Sequence, residues 1–200
     1  MYQKLVLENK ANVYLVPQKD AQSATVLIMF PVGSRYENEK LAGVSHFIEH
    51  LMFKGTKKRP NTLILTREID RLGAEYNAFT SKEYTGYYIK ADAKYLETSL
   101  DILSDMLYNS LFDAKEMEKE KRVIVEEIRM YKDNPLMNIE NIFENLLFRS
   151  PLGRDIAGSE KTVLNLNRRE MLEYLGKYYQ SKEMTVVIAG KYEKNIREVF

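Results

Sequence analysis

The chain has no cysteine, and that absence removes disulfide bridges, thiolate catalysis and cysteine-based zinc knuckles together. It fits a reducing compartment, so a cytoplasmic location is expected. Nothing approaches the ~20 apolar residues of a membrane-spanning helix, and the opening Met1-Tyr2-Gln3-Lys4-Leu5-Val6 lacks the apolar stretch of a secretory signal. Charge of one sign is also missing. The 30 Lys and Arg are met by 29 Asp and Glu, for a net charge of +1, which gives no argument for a nucleic-acid-binding surface. The basic clusters Lys57-Lys58-Arg59 and Lys119 to Arg122 are short and interleaved with acids, and read as solvated surface. Histidine is scarce, with two in 200 residues.

What is present suffices for one domain over residues 1–200, with 44% hydrophobic side chains to build a core. Short strands are expected at Leu5 to Leu7 and Asn12 to Pro17, and a buried, β-branched strand at Thr25 to Phe30. Ala42 to Lys54 has helical length and ends at Gly55, a natural C-terminal cap. Thr62 to Leu72 reads as a second helix. Glu75 to Phe79 and Thr85 to Ala91 read as paired strands. Helices follow at Lys94 to Asn109, Ala114 to Tyr131 (broken by Asp133-Asn134-Pro135), Met137 to Phe148 and Arg168 to Tyr179. A loop covers Ser150 to Gly158, and Met184 to Ala189 reads as a last buried strand. Strands separated by paired helices point to an α+β fold, with helices on one face of a mainly antiparallel sheet. After Gly190, Glu193 to Phe200 begins a new amphipathic pattern that stops on an uncapped Phe, as if the protein continued.

The informative segment is His46-Phe47-Ile48-Glu49-His50, an H-x-x-E-H pattern. At about 100° per residue the two histidines lie ~40° apart on one helical face, close enough to share a metal ion. Glu49 falls ~60° to the other side of His46, within reach of a metal-activated water but angled off the metal, as a general base requires. Val44, Phe47, Ile48, Leu51, Met52 and Phe53 make this helix apolar nearly all round, so it belongs in a core. Two histidines and a carboxylate there without partners would cost several kcal/mol, and a metal supplies partners. The alternative is a pair of satisfied core histidines beside a buried glutamate.

A catalytic zinc takes three protein ligands and an open position. Without cysteine or a third histidine, the remaining ligand must be Asp or Glu. In the helix from Ala114 to Tyr131, the apolar face is Met117, Ile124, Ile128 and Tyr131. Glu120 and Glu127 both fall within ~60° of Ile124, while Glu126 points to nearly the opposite side. Periodicity leaves Glu120 and Glu127 as joint candidates, beside the plainer reading of an ordinary charged helix.

With these residues in view, the sequence resembles the pitrilysin family of zinc peptidases, which includes the mitochondrial processing peptidase and insulin-degrading enzyme. The resemblance spans essentially the whole chain. It is carried by Gly43-Val44-Ser45-His46-Phe47-Ile48-Glu49-His50-Leu51-Met52-Phe53-Lys54-Gly55-Thr56, by Gly73-Ala74-Glu75-Tyr76-Asn77-Ala78-Phe79-Thr80-Ser81, by Glu120 to Ile128, and by Pro151-Leu152-Gly153 with Gly158. It implies an α/β roll with one Zn2+ per chain, held by His46, His50 and Glu127. It also implies Glu49 as base, Glu120 supporting the site from behind, and a peptide substrate laid along the strand at Asn77 and Ala78 by β-addition. The expected activity is endopeptidase cleavage of peptides or unfolded segments.

Family members pair such a domain with a second, similarly folded half. The chain is therefore expected to be an N-terminal catalytic half, working with a second homologous domain or subunit in a homo- or heterodimer. Two other readings compete. S-ribosylhomocysteine lyases also carry H-x-x-E-H but complete their site with a cysteine, which is missing here. A non-catalytic assembly subunit, like the family-related core subunits of respiratory complexes, is the stronger rival. Such subunits tend to lose ligands or the base, and here all four residues are intact.

Overall fold

The computed structural model describes residues 1–148 and 151–192. The amphipathic pattern expected at 193–200 lies outside these residues. Six strands form one sheet: β1 (Gln3–Val6), β2 (Asn12–Pro17), β3 (Ser23–Phe30), β4 (Glu75–Thr80), β5 (Thr85–Asp92) and β6 (Thr185–Gly190). Their order is β1-β2-β6-β3-β5-β4. All neighbours are antiparallel except β2 and β6, which run parallel with Val13 opposite Val186. The α+β class and the mainly antiparallel sheet are as the sequence predicts.

Alternation explains which face is covered. In β3, Ala24, Val26, Ile28 and Phe30 are buried while the residues between them are half-buried. In register beside them lie Ile89 of β5 and Ile188 of β6, both opposite Val26. This period-2 pattern gives the sheet one core face. Helix α3 (Leu96–Asn109) packs there against β3 and β5 with Leu100, Leu103 and Met106 buried.

Two helices carry the residues of interest. Helix α1 (Val44–Met52) packs on β4 and on α4 (Ala114–Asp133). It is shorter than the expected 42–54 span at both ends. Its N-cap is Gly43, at φ 96, and its C-cap is Phe53, whose N–H donates to the carbonyls of His50 and Leu51. Gly55 therefore lies beyond the helix and is not its cap. Helix α2 (Thr62–Arg71) ends just before Gly73, as expected. Asn134 caps α4 at its C-terminus and α5 (Pro135–Leu147) at its N-terminus, so the predicted break is a tight helix–helix corner. Helix α6 (Glu160–Asn165) was not anticipated, and α7 (Arg168–Tyr178) follows it. No helix among the described residues is long and apolar enough to cross a membrane.

Candidate metal centre

Helix α1 is embedded on all sides but one. Val44, Phe47, Ile48 and Leu51 are fully buried, which leaves His46, Glu49 and His50 on the remaining strip. The two histidines are not sealed in the core, as the apolar helix implied. Their side chains keep 13% and 22% exposure, and His46, with Glu49 and Glu127, borders an open cavity of about 280 Å³. Phe79 and Thr80 of β4, Tyr131 of α4, Asn141 of α5, and Asp155 and Ile156 of the following loop help to wall it.

The N-terminus of α1 is held by a residue far from any motif. Glu37 accepts hydrogen bonds from Gly43 N–H and Ser45 N–H, each at 2.8 Å, satisfying donors that a helix start leaves free. Burial is the main influence on this carboxyl and pushes it up to about 7 against the pull of those two bonds. Arg154 clamps the same segment by donating to the Glu37 carbonyl at 2.7 Å. A Cβ on Gly43 would sit 2.4 Å from the Ala157 carbonyl oxygen, so only glycine allows this loop to approach the start of α1.

Helix α4 brings up the acid. Met117, Ile124 and Ile128 are buried as its phase predicts, with Val125 in addition. Glu126 points to solvent and pairs with Arg129. Glu120 and Glu127 both turn toward α1 but do different things. One ligand atom each from His46, His50 and Glu127 lies within 4.8 Å of the others. His46 Nε2 is 3.3 Å from His50 Nε2, and the Glu127 carboxylate is 3.9 Å from the first and 3.6 Å from the second. Bonds of ~2.05 Å at a tetrahedral zinc give ligand–ligand edges of roughly 3.3 Å. The donor set and spacing therefore fit zinc.

Glu120 stands behind this trio. Its Oε1 lies 2.8 Å from His50 Nδ1 and its Oε2 lies 2.7 Å from Lys54 Nζ. Burial pushes its pKa up, but the bonds from His50 and Lys54, with the Lys54 charge, outweigh burial and the net shift is down. A carboxylate there fixes His50 Nδ1 as the protonated nitrogen and leaves Nε2 free to bind a metal. His46 is lowered to about 4, by burial first and by the neighbouring His50 second, so its ring is neutral at pH 7. Its Nδ1 has no hydrogen-bond partner among the described residues.

Glu49 faces the cavity and accepts a hydrogen bond from the Thr80 hydroxyl. Burial raises its pKa above the ordinary carboxylate value, against the opposing pull of Thr80 and His50. Asn77 and Ala78 lie on β4, an edge strand bonded only to β5. Asn77 is exposed, and its Oδ1 accepts from the Ala78 N–H at 2.9 Å.

Thr80, Lys54 and Glu37 were missed by sequence reasoning. Lys54 was within reach, four residues after His50 on the same helical phase. Thr80 and Glu37 meet α1 only through the fold.

A helical H-x-x-E-H pair that meets a glutamate from a second helix has the donor pattern of a zinc-peptidase type of site. Residues 13–160 match the family model Insulinase (Peptidase family M16), and the chain belongs to that family. It is 35% identical over 195 residues to the uncharacterized zinc protease YmxG of Bacillus subtilis, covering 95% of this chain and 46% of that protein. It is 37% identical to the beta subunit of the bovine mitochondrial-processing peptidase (84% of this chain, 34% of that one). It is 35% identical to subunit 1 of the bovine mitochondrial cytochrome b-c1 complex (88% and 37%). Among solved structures, a protease from Helicobacter pylori superposes with a TM-score of 0.94 at 26% identity, over 100% of this chain and 49% of that one. The chain thus spans about half the length, or less, of these relatives.

Proposed function

We propose that residues 1–200 form the zinc-holding catalytic domain of a metalloendopeptidase that is completed by a second unit of the same family. The observation that carries this reading is the convergence of His46, His50 and Glu127 to within 4.8 Å, with Glu49 on the same cavity. In this reading the three converging residues hold one zinc ion per chain. Zinc with an open position supplies a Lewis acid and lowers the pKa of water toward ~7.

Glu49 takes a proton from the attacking water and delivers it to the leaving amine. Its raised pKa brings it closer to the working pH, where a base that must also act as an acid is most effective. The Thr80 hydroxyl steadies one of its carboxylate oxygens. Glu120 touches no reacting atom and positions His50. A peptide or unfolded segment adds to the free edge of β4, and its backbone carbonyl replaces the Asn77 side chain on the Ala78 N–H. That gives affinity through main-chain bonds and places the scissile bond over the cavity.

The competing reading is an assembly subunit without activity, and the likeness to a cytochrome b-c1 subunit keeps it in play. The intact set favours the peptidase: His46, Glu49 and Glu127 line one cavity, and His50 Nε2 lies 3.3 Å from His46 Nε2. The test uses the full-length protein. Glu127→Gln should lose most of the bound zinc and Glu126→Gln none, by metal analysis after dialysis. The reverse result moves the third ligand by one position. A zinc-free wild type that cleaves no peptide, with its second unit present, supports the assembly role.

A further inference from the structure

Lys54 is placed to act on the metal centre without touching it. His50 is the imidazole whose rear nitrogen is held: its Nδ1 lies 2.8 Å from Glu120 Oε1, whereas His46 Nδ1 has no partner among the described residues. The orientation of the site therefore depends on Glu120. That side chain is only 5% exposed, and a buried carboxylate requires partners on both oxygens. The second oxygen, Oε2, lies 2.7 Å from Lys54 Nζ, and no other Lys or Arg among the described residues pairs with Glu120. Held at one oxygen, a carboxylate can still turn about its broad terminal torsion. Held at both, it presents Oε1 to Nδ1 in a single plane.

Lys54 is itself anchored. It follows the cap of α1, and its N–H donates to the Leu51 carbonyl at 3.0 Å. The next turn is closed by Thr56 N–H on the Arg59 carbonyl at 2.7 Å and by Arg59 N–H on the Thr56 hydroxyl at 2.9 Å. Arg59 is buried and donates to Glu68 at 2.7 Å, to Asp101 at 2.8 Å and to Asp105 at 3.0 Å. The Thr56 hydroxyl also donates to Asp105. These contacts pin the residues after Lys54 to α2 and α3, so its flexible stem starts from a fixed point. An exposed ion pair would contribute little. Here one partner is buried and both ends are tied down.

We propose that Lys54 is a positioning residue for the metal centre: it fixes the Glu120 carboxylate, and through it the His50 ring, so that Nε2 meets His46 and Glu127. This rests on the metal site proposed above. Charge alone would act the other way, because a cation near the site repels a divalent metal and its removal would tighten binding. Positioning requires that removal loosen it.

The test measures zinc affinity of the full-length protein by competition with a chromophoric chelator, with circular dichroism to confirm folding. Lys54→Met keeps the apolar stem and should weaken zinc by roughly three- to tenfold, below the loss expected when the supporting acid itself is removed. Lys54→Arg keeps the charge and the donors and should recover most of that loss. In a Glu120→Ala background, Lys54→Met should change the affinity by less than about twofold, because the path runs through Glu120. If the Met variant misfolds, Lys54→Ala provides the same comparison. Unchanged or tighter zinc in the folded variant, with or without a lower Tm, would overturn the proposal, as would an equal loss in both backgrounds. A wild type that binds no zinc would defeat the metal site itself and the proposal with it, so the two failures are distinct.

Discussion

Replacing Glu120 by alanine removes the acceptor that sits 2.8 Å from His50 Nδ1 and leaves Lys54 without the oxygen now 2.7 Å away. The His50 ring is then free to rotate or to change tautomer, and its Nε2 lone pair no longer aims by default at His46 and Glu127. Partners of this kind are worth about 10- to 100-fold in metal affinity, or about 1.4 to 2.7 kcal/mol. Glu120 is only 4% exposed, so water cannot readily take over its bond, and alanine should fall near the upper end. Glu120→Gln keeps an oxygen for the Nδ1 proton while losing the charge, and should fall near the lower end. A competition titration with a chromophoric zinc chelator gives the affinities, and far-ultraviolet circular dichroism confirms that each variant is folded. Glu126→Gln, on the solvent side of the same helix, serves as the reference. Folded Glu120 variants that hold zinc as tightly as the wild type would refute the reasoning.

Glu49→Gln should retain zinc and slow peptide cleavage by about 10²- to 10⁴-fold, the usual contribution of a positioned base; a wild-type rate would remove Glu49 from that role. His46 is lowered from 6.5 to about 4 in the fold, so between those values the unfolded chain binds more protons. The metal-free protein should therefore lose stability as pH falls through that window, by up to about 1.4 kcal/mol per pH unit. Denaturant melts in the presence of a chelator check this, and His46→Gln should flatten that component; equal slopes in both proteins would contradict it. Gly43→Ala puts a side chain at φ 96 and against the Ala157 carbonyl, at a cost of about 1–3 kcal/mol for the backbone alone. An unchanged Tm would mean that the loop yields without strain.

How far the sequence carried depended on the range of the interaction. The helical phase of His46, Glu49 and His50 is local, and the structure keeps it. On α4, periodicity separated Glu120 and Glu127 from Glu126 but could not rank the first two, because the rank depends on which one meets Nε2 and which meets Nδ1 of a histidine some 70 residues away. The parallel pairing of β2 with β6 joins Val13 to Val186, and no local pattern announces it. Helix α6 went unseen because six residues are too few for a hydrophobic period, although its capping box, Ser159 with Thr162, was there to be read. Gly55 predicts a helix running to Lys54, whereas the chain leaves the helix at Phe53 because the Phe53 N–H already closes on the His50 and Leu51 carbonyls. The apolar period of Leu136, Ile139, Phe143 and Leu146 in α5 would ordinarily be assigned to the core; only the fold shows these residues exposed.

Anomalous diffraction at the zinc absorption edge, on crystals of the full-length protein, measures the central point. One peak per chain is expected, within bonding distance of His46 Nε2, His50 Nε2 and a Glu127 carboxylate oxygen. A peak on other residues, or zinc-supplied crystals with no peak between these three side chains, would contradict it.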